Sequence, residues 1–174
     1  MAMAHPALAR ELIRMMRRDQ RMRIAFGKGK RRWDRFLDRA HTKRMKVIVR
    51  TYGWPTFAMV GKRGAVAAWF LVQHADHDVG WQERCRARME RAVAERQAPP
   101  EFYAMLVDRV LVNHGKRQRY GSQWYTNTRG VFAPRLIQNR KQLALRRRRM
   151  GMRPFREYEK QMRAMFRRWQ PKQP

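Results

Sequence analysis

Hydrophobic positions along this chain recur at steps of three and four far more often than they alternate, which is the period of helices rather than strands. Pro6 suits the first position of a first helix. Behind it Leu8, Leu12, Met15, Asp19, Met22 and Phe26 form one inward stripe. The run Gly27-Lys-Gly-Lys-Arg-Arg32 breaks the pattern. A second helix is predicted from Trp33 to about Thr51, with Trp33, Phe36, Leu37, Ala40, Met45, Ile48 and Val49 inward. Arg32, Arg35, Arg39, Lys43, Arg44, Lys46 and Arg50 fall on its other face. Gly53-Trp54-Pro55 stops it, because Gly takes the left-handed capping conformation and Pro cannot continue a helix. After a short loop, Ala65 to Val72 is apolar all round and predicts the central buried helix. Asp78 is placed to cap the next helix, Val79 to about Arg96. Pro99-Pro100-Glu101 opens another, which runs through Val112 and ends at His114-Gly115.

The pattern then changes. From Leu111 to Arg156 there is no Asp or Glu, against thirteen Lys and Arg. Tyr120 to Tyr125 reads as a turn or short hairpin, and Gln138 to Met150 as a basic helix ending in four arginines. Pro154 starts a last helix with Phe155, Tyr158, Met162, Met165, Phe166 and Trp169 inward. The expected fold class is therefore all-α: a compact helical domain of about five to seven helices with a basic helical C-terminal extension. The expected division is a helical core over residues 1–125 and an extension over 126–174, with a soft boundary near Tyr125 to Pro134.

Charge adds what the periodicity does not contain. Forty-two Lys and Arg face thirteen Asp and Glu in 174 residues, a formal net charge of +29. Such a surplus repels itself, and a polyanion relieves it by exchanging condensed counterions for Lys and Arg. The bland alternative is a solvated basic surface produced by Arg-rich coding. Six Trp, five Tyr and eight Phe argue for a folded body rather than a disordered basic tail. No stretch approaches the ~20 apolar residues of a membrane span, and the first residues lack the order of a secretory signal. A single cysteine, Cys85, excludes an internal disulfide and a Cys-based zinc cluster, as suits a reducing compartment.

Polar groups sit where apolar ones would be cheaper. Asp19 lies on the stripe of the first helix, His74 and Asp76 follow the most hydrophobic helix, and Asp108 shares a face with Ala104, Met105, Leu111 and Val112. A buried carboxylate costs several kcal/mol unless paired. His74, Asp76 and Asp108 are accordingly the catalytic candidates, with Asp19, Gln73, Asp78, Tyr120 and Gln123 as further pocket residues. His74, His77 and Asp78 share one helical face if the helix continues that far, but the spacing is no established zinc signature. The structural alternative pairs Asp108 with Arg21 or Arg23, leaves His74 bonded to a backbone carbonyl, and makes Asp78 only a cap. Neither a metal nor a cofactor is specified by these residues.

Several blocks together carry a resemblance: Asp19-Gln20, Leu37-Asp38, Tyr52-Gly-Trp-Pro55, Val60-Gly61, Ala68-Trp69, Gln73-His-Ala-Asp76 with Asp78 and Gln82, Asp108-Arg109, Gln118, and Tyr120-Gly-Ser-Gln123. It continues into Arg149-Met-Gly-Met152 and Tyr158. On these residues the chain resembles a mostly bacterial family catalogued as a domain of unknown function, for which no activity is established. The resemblance implies a small helical domain whose blocks meet around one pocket. His41 stands where that family typically carries Asn, and Arg or Lys replaces neutral or acidic residues at many surface positions.

The basic surface assigns a partner. Arg31, Arg32, Arg35, Arg39, Lys43 and Arg44, then Lys116, Arg117, Arg119, Arg140, Lys141 and Arg146 to Arg149, are the expected nucleic-acid contacts. Four consecutive arginines ring a helix, an arrangement suited to phosphates and ill suited to a core. Tyr120, Trp124 and Tyr125 are candidates to stack on unpaired bases, with packing within the protein as their structural alternative. No RNP motif, KH loop, zinc finger or basic zipper is present. The expectation is binding to structured RNA, favoured over DNA, in a ribosome or similar ribonucleoprotein particle, in the cytoplasm or alternatively an organelle matrix. The alternative is a hydrolase-type enzyme, metal-dependent or not, whose basic surface recruits an anionic substrate. A cationic membrane-surface protein is a third, weaker reading.

Overall fold

The computed structural model describes residues 3–169. Among them the protein is built from seven α-helices, one 3-10 turn and one two-stranded hairpin, an all-α architecture with a small β addition. The chain divides into two compact units, one through Tyr103 and one from Ala104 onward, with the division inside a helix. No helix of the described residues is long and apolar enough to cross a membrane.

The first unit contains α1 (Pro6–Gly27), α2 (Arg35–Tyr52), α3 (Phe57–Gln73), α4 (Val79–Ala94) and the start of α5 (Pro100–Asn113). α3 is its axis, running against α1 and also touching α2 and α4. Ala65, Ala67, Ala68, Leu71 and Val72 are buried there, as the apolar run requires. Leu12 of α1 and Met45 and Ile48 of α2 are fully buried. Each such side chain contributes about 1.5–3 kcal/mol by leaving water. Three helices are capped by local side chains. Asp34 Oδ1 accepts from Leu37 N at 2.9 Å, Thr56 Oγ1 from Met59 N at 3.3 Å, and Asp78 Oδ1 from Trp81 N at 3.1 Å.

Four details differ from expectation in this unit. Because Asp34 takes the cap, α2 begins at Arg35 rather than Trp33. The loop expected before Ala65 is mostly helical, and α3 is broken only at Gly61, whose φ of 67° is left-handed. His74, His77 and Asp78 do not share a helical face, since α3 ends at Gln73 and residues 74–78 form a turn in which Asp78 N donates to Ala75 O at 2.9 Å. Phe26 of α1 and Trp33, Phe36 and Ala40 are not inward. The buried series of α2 runs through Leu37, His41, Thr42, Met45, Ile48 and Val49, and one residue of offset turns Phe36 out to 85% exposure.

The second unit contains the rest of α5, β1 (Trp124–Thr126), β2 (Phe132–Pro134), a 3-10 turn (Arg140–Gln142), α6 (Leu143–Arg149) and α7 (Phe155–Trp169). β1 and β2 pair antiparallel with Tyr125 opposite Ala133. Aromatic rings hold this hairpin to α7. Trp124 stacks on Phe132 at 5.1 Å between centroids, and Phe132 lies parallel to Phe166 at 4.2 Å. The basic helix expected from Gln138 is shorter, because Asn139 adopts a left-handed conformation and a 3-10 turn precedes α6. Met165, expected inward, is exposed. The inward position expected of Trp169 lies outside the described side chains.

Candidate functional site

A buried polar centre occupies the first unit. Asp19, midway along α1, is 1% exposed and gathers three side-chain donors. Arg23, one helical turn on, donates Nε to both carboxylate oxygens at 3.0 and 3.1 Å. Gln20 Nε2 donates at 2.8 Å, and His74 Nδ1 lies 2.8 Å from Oδ2. Burial pushes the Asp19 carboxyl up, but the bond and charge of His74, with Arg23 and Gln20, outweigh it and hold the group below its ordinary value. The other arm of Arg23 reaches Asp38 Oδ1 at 2.9 Å. Asp38 is raised, chiefly by desolvation, against the attraction of Arg23. One guanidinium thus ties α1 to α2, and His74 ties the end of α3 to α1.

This arrangement gives His74 a fixed orientation. A carboxylate on Nδ1 sets the tautomer and places Nε2 at the other side of the ring. The neighbouring turn is held by Gln82 of α4, whose Nε2 donates to Val72 O at 3.0 Å, Gln73 O at 3.3 Å and Asp76 Oδ1 at 3.2 Å. Gln73 is buried and Asp76 is exposed. Asp78 caps α4 and also pairs with Lys46 Nζ at 2.5 Å, which lowers its carboxyl. Arg23 is the member of this centre that sequence reading did not place here. Its i, i+4 spacing from Asp19 was the available signal.

The second unit holds a different polar knot. Asp108 of α5 is fully buried and its oxygens are taken up by the loop 119–122. Oδ1 accepts from Arg119 N at 2.7 Å and Tyr120 N at 2.9 Å, and Oδ2 accepts from Ser122 N and Ser122 Oγ, each at 2.9 Å. Desolvation raises its carboxyl, and these amide donors oppose the rise. Asp108 therefore has backbone partners, whereas Arg23, one of the two arginines expected to pair with it, is engaged by Asp19 and Asp38. Gln118 continues the clamp: its Oε1 accepts from Gln123 N at 2.8 Å, and its Nε2 donates to Gln123 O at 3.0 Å and Arg135 O at 2.8 Å. Arg109 donates to Gln123 Oε1 at 3.0 Å. Gly121 must lack a side chain, since its φ is 75° and a Cβ would lie 2.6 Å from Phe155.

The arginine run is divided in role, which corrects the expectation of four solvent-facing charges. Arg147 is 1% exposed. Its Nη1 donates to Tyr120 O at 2.5 Å, its Nε to Arg153 O at 2.7 Å, and its guanidinium lies 4.9 Å from the Tyr158 ring. Arg146 is half-buried, and its Nη2 donates to Gln138 O and Asn139 O. Arg148 and Arg149 are exposed. The aromatic candidates also divide: Tyr120 is buried, Trp124 is stacked within the unit, and Tyr125 is exposed beneath the Arg135 guanidinium at 4.9 Å.

Elsewhere the expected cations do face solvent. Arg31, Arg32, Arg35, Arg39, Lys43, Arg44, Lys116, Arg117, Arg119, Arg140 and Lys141 are all exposed. Among them only Arg44 has a carboxylate partner in the described residues, Glu11 at 2.5 and 2.9 Å. Three basic hollows result. One of about 740 Å³ lies along α1 and the α1–α2 loop, between Arg18, Arg21, Lys28, Lys30, Arg31 and Arg32. A second, of about 520 Å³, is bordered by Lys46, Arg50, Arg84 and Arg88. In the second unit Lys116, Arg117 and Arg135 border a hollow of about 260 Å³ beside Tyr125. Among the described residues no group of three His, Cys, Asp or Glu is placed to hold a metal ion.

The model of the family described as "Family of unknown function (DUF6624)" matches residues 6–167. The chain belongs to this family. The DUF6624 match takes in the His74 centre, the Asp108 knot and all three basic hollows. No curated protein and no solved structure matches the chain.

Proposed function

We propose that this DUF6624 protein binds structured RNA through its basic hollows, in a cytoplasmic ribosome or similar ribonucleoprotein particle. The observation that carries this reading is the lack of internal neutralisation. Apart from Arg44, the exposed cations expected at the interface have no carboxylate partner among the described residues. Cations left unpaired at net +29 gain most from a partner that carries closely spaced phosphates. Arg on α1 and α2 in the first unit, and Lys and Arg after α5 in the second, each offer a cationic surface to phosphates. Arg147 is excluded from those faces by its burial.

The test is affinity for a structured RNA as a function of salt. A steep fall between about 50 and 200 mM salt is expected, with log–log slope set by the phosphates contacted. Replacing Lys116 and Arg117, which border one of the hollows, with Gln should weaken binding and leave helix content unchanged. A flat salt dependence would remove the proposal.

A second reading rests on His74 alone. An imidazole whose Nδ1 faces a buried carboxylate is the arrangement of a general base. Its Nε2 would take a proton from water as the hydroxide attacks an ester or phosphodiester, and return it to the leaving group. In this reading Asp19 orients the base. Turnover of a panel of anionic esters, abolished in His74→Ala with helix content retained, is the outcome it requires.

A further inference from the structure

The aromatic residues best placed to meet unpaired bases are not those of the hairpin. Phe36 is 85% exposed, and Phe26 and Trp33 are 48% and 38% exposed. Phe26 and Trp33 meet edge to face at 5.1 Å, and Arg23 lies 4.7 Å over the Trp33 ring, so this pair is fixed from below. The loop between them is tied down by its backbone. Lys28 N donates to Ile24 O at 3.1 Å, Gly29 N to Phe26 O at 2.9 Å, and Lys30 N to Ala25 O at 2.9 Å. An exposed, preformed pair of large rings with a third exposed ring at Phe36 is unusual on a surface this charged, because apolar area in water has no stabilising effect of its own.

Two hollows meet at this corner. The basic groove of about 740 Å³ and a second cavity of about 470 Å³ share Arg18, Asp34 and Leu37. Phe36 lines the second cavity together with Met15, Ala40 and His41. His41 is buried, and its Nδ1 has no hydrogen-bond partner among the described residues. Asp34 is the one acid of the groove, and its carboxylate already caps α2. Cations thus line one hollow, and the next sets the Phe36 ring, Met15, Leu37 and Ala40 among Arg14, Arg18 and Arg44, with Glu11 and Asp34 as its acids. A ring set beside cations matches a nucleotide chain, phosphate beside base.

We propose that the α1–α2 corner of the first unit is a platform for single-stranded RNA: phosphates lie along Lys28 to Arg32, and an unpaired base stacks on Phe36 over the adjoining cavity. The proposal rests on the RNA-binding reading and narrows its target to unpaired segments. A duplex keeps its base faces stacked internally and shows backbone, 2′-hydroxyls and base edges, so Phe36 has no base face to stack on there. Anionic membrane surfaces also attract aromatic and cationic residues, and they form a separate arm of the test.

The experiment measures binding of the full chain to an oligouridine strand of about ten nucleotides, to a duplex RNA of equal length, and to phosphatidylglycerol vesicles. The variants are Phe36→Ala and the double change Arg31→Gln with Arg32→Gln. Phe36→Ala should lose roughly tenfold or more in affinity for the single strand, the range of one base stack. It should keep its duplex affinity and its salt slope. The arginine variant should weaken both RNAs and lower the salt slope by about 0.7 for each single-strand phosphate it ceases to neutralise. Full single-strand affinity in Phe36→Ala would overturn the platform, and a loss in the arginine variant would then leave the charge-based reading standing. No salt-dependent binding of either RNA would overturn both. A loss confined to vesicles in Phe36→Ala would make the corner a membrane contact and overturn the RNA platform.

Discussion

Replacing Asp108 with Asn asks whether this carboxylate serves to hold the loop 119–122. The change preserves shape but removes the charge and turns one oxygen into a donor. In the native protein one oxygen takes the amides of Arg119 and Tyr120, and the other takes the amide and hydroxyl of Ser122 and a longer share of the Tyr120 amide at 3.2 Å. Asparagine can aim its single oxygen at only one of these pairs. The Ser122 hydroxyl can turn and accept from the new NH2 group, but a backbone amide cannot. The amide of either Arg119 or Ser122 is therefore orphaned, at about 1–3 kcal/mol, and the remaining bonds lose their charge assistance, worth about 1 kcal/mol each. The variant escapes part of the cost of burying a charge, the cost that raises the native carboxyl. The balance is a destabilisation of about 2–4 kcal/mol. With a urea slope near 2 kcal/mol per molar, the unfolding midpoint should fall by about 1–2 M. Amide exchange at residues 119, 120 and 122 should accelerate by roughly a hundredfold. A midpoint within about 0.2 M of the native protein, with exchange unchanged at those amides, would refute the argument.

Arg147→Gln should cost about 2–4 kcal/mol, because it removes charge-assisted bonds to Tyr120 O and Arg153 O in the interior. Arg149→Gln should stay within about 0.5 kcal/mol by the same urea titration. Asp19 has a depressed pKa, so its stabilising contribution is present above the ordinary Asp range and is lost as pH falls through the depressed value. The stability gap between the native protein and Asp19→Asn should therefore narrow on titration from about pH 5 to pH 2, and a gap that widened would show that the ionised pair is not the stabilising form. Cys85 is buried and its thiol is pushed up to about 12, so iodoacetamide at mildly alkaline pH should leave it unlabelled until urea is added, as read by mass spectrometry.

The helices were legible because local chemistry and periodicity agree. Pro6, Asp78, Gly53 and Pro154 punctuate the chain where the elements begin and end. The apolar run from Ala65 could only be buried. The face of α2 was harder to read, since Trp33, Phe36, Leu37 and Ala40 fit a three-four stripe as well as the true series does. Only tertiary contact decides between stripes one residue apart. The two roles within the arginine run were written in the spacing: Leu143 and Arg147 lie four apart and share the buried side of α6. At the candidate site, Asp19 and His74 were read as polar residues on apolar elements, and they meet. The engagement of Asp108 was not readable, because its partners are backbone amides of an irregular loop, and no side-chain pattern encodes their positions.

Arg147 limits how this protein can be made less cationic. Surface arginines such as Arg148 and Arg149 can be exchanged for neutral residues to ease crystallisation or curb nonspecific adhesion. The identical exchange one position earlier withdraws an internal peg that fastens the main chain at Tyr120 to the main chain at Arg153. Sequence drift toward a milder isoelectric point should thus erode the rim of α6 and spare its inward guanidinium, so that the last arginine left in the run marks a joint.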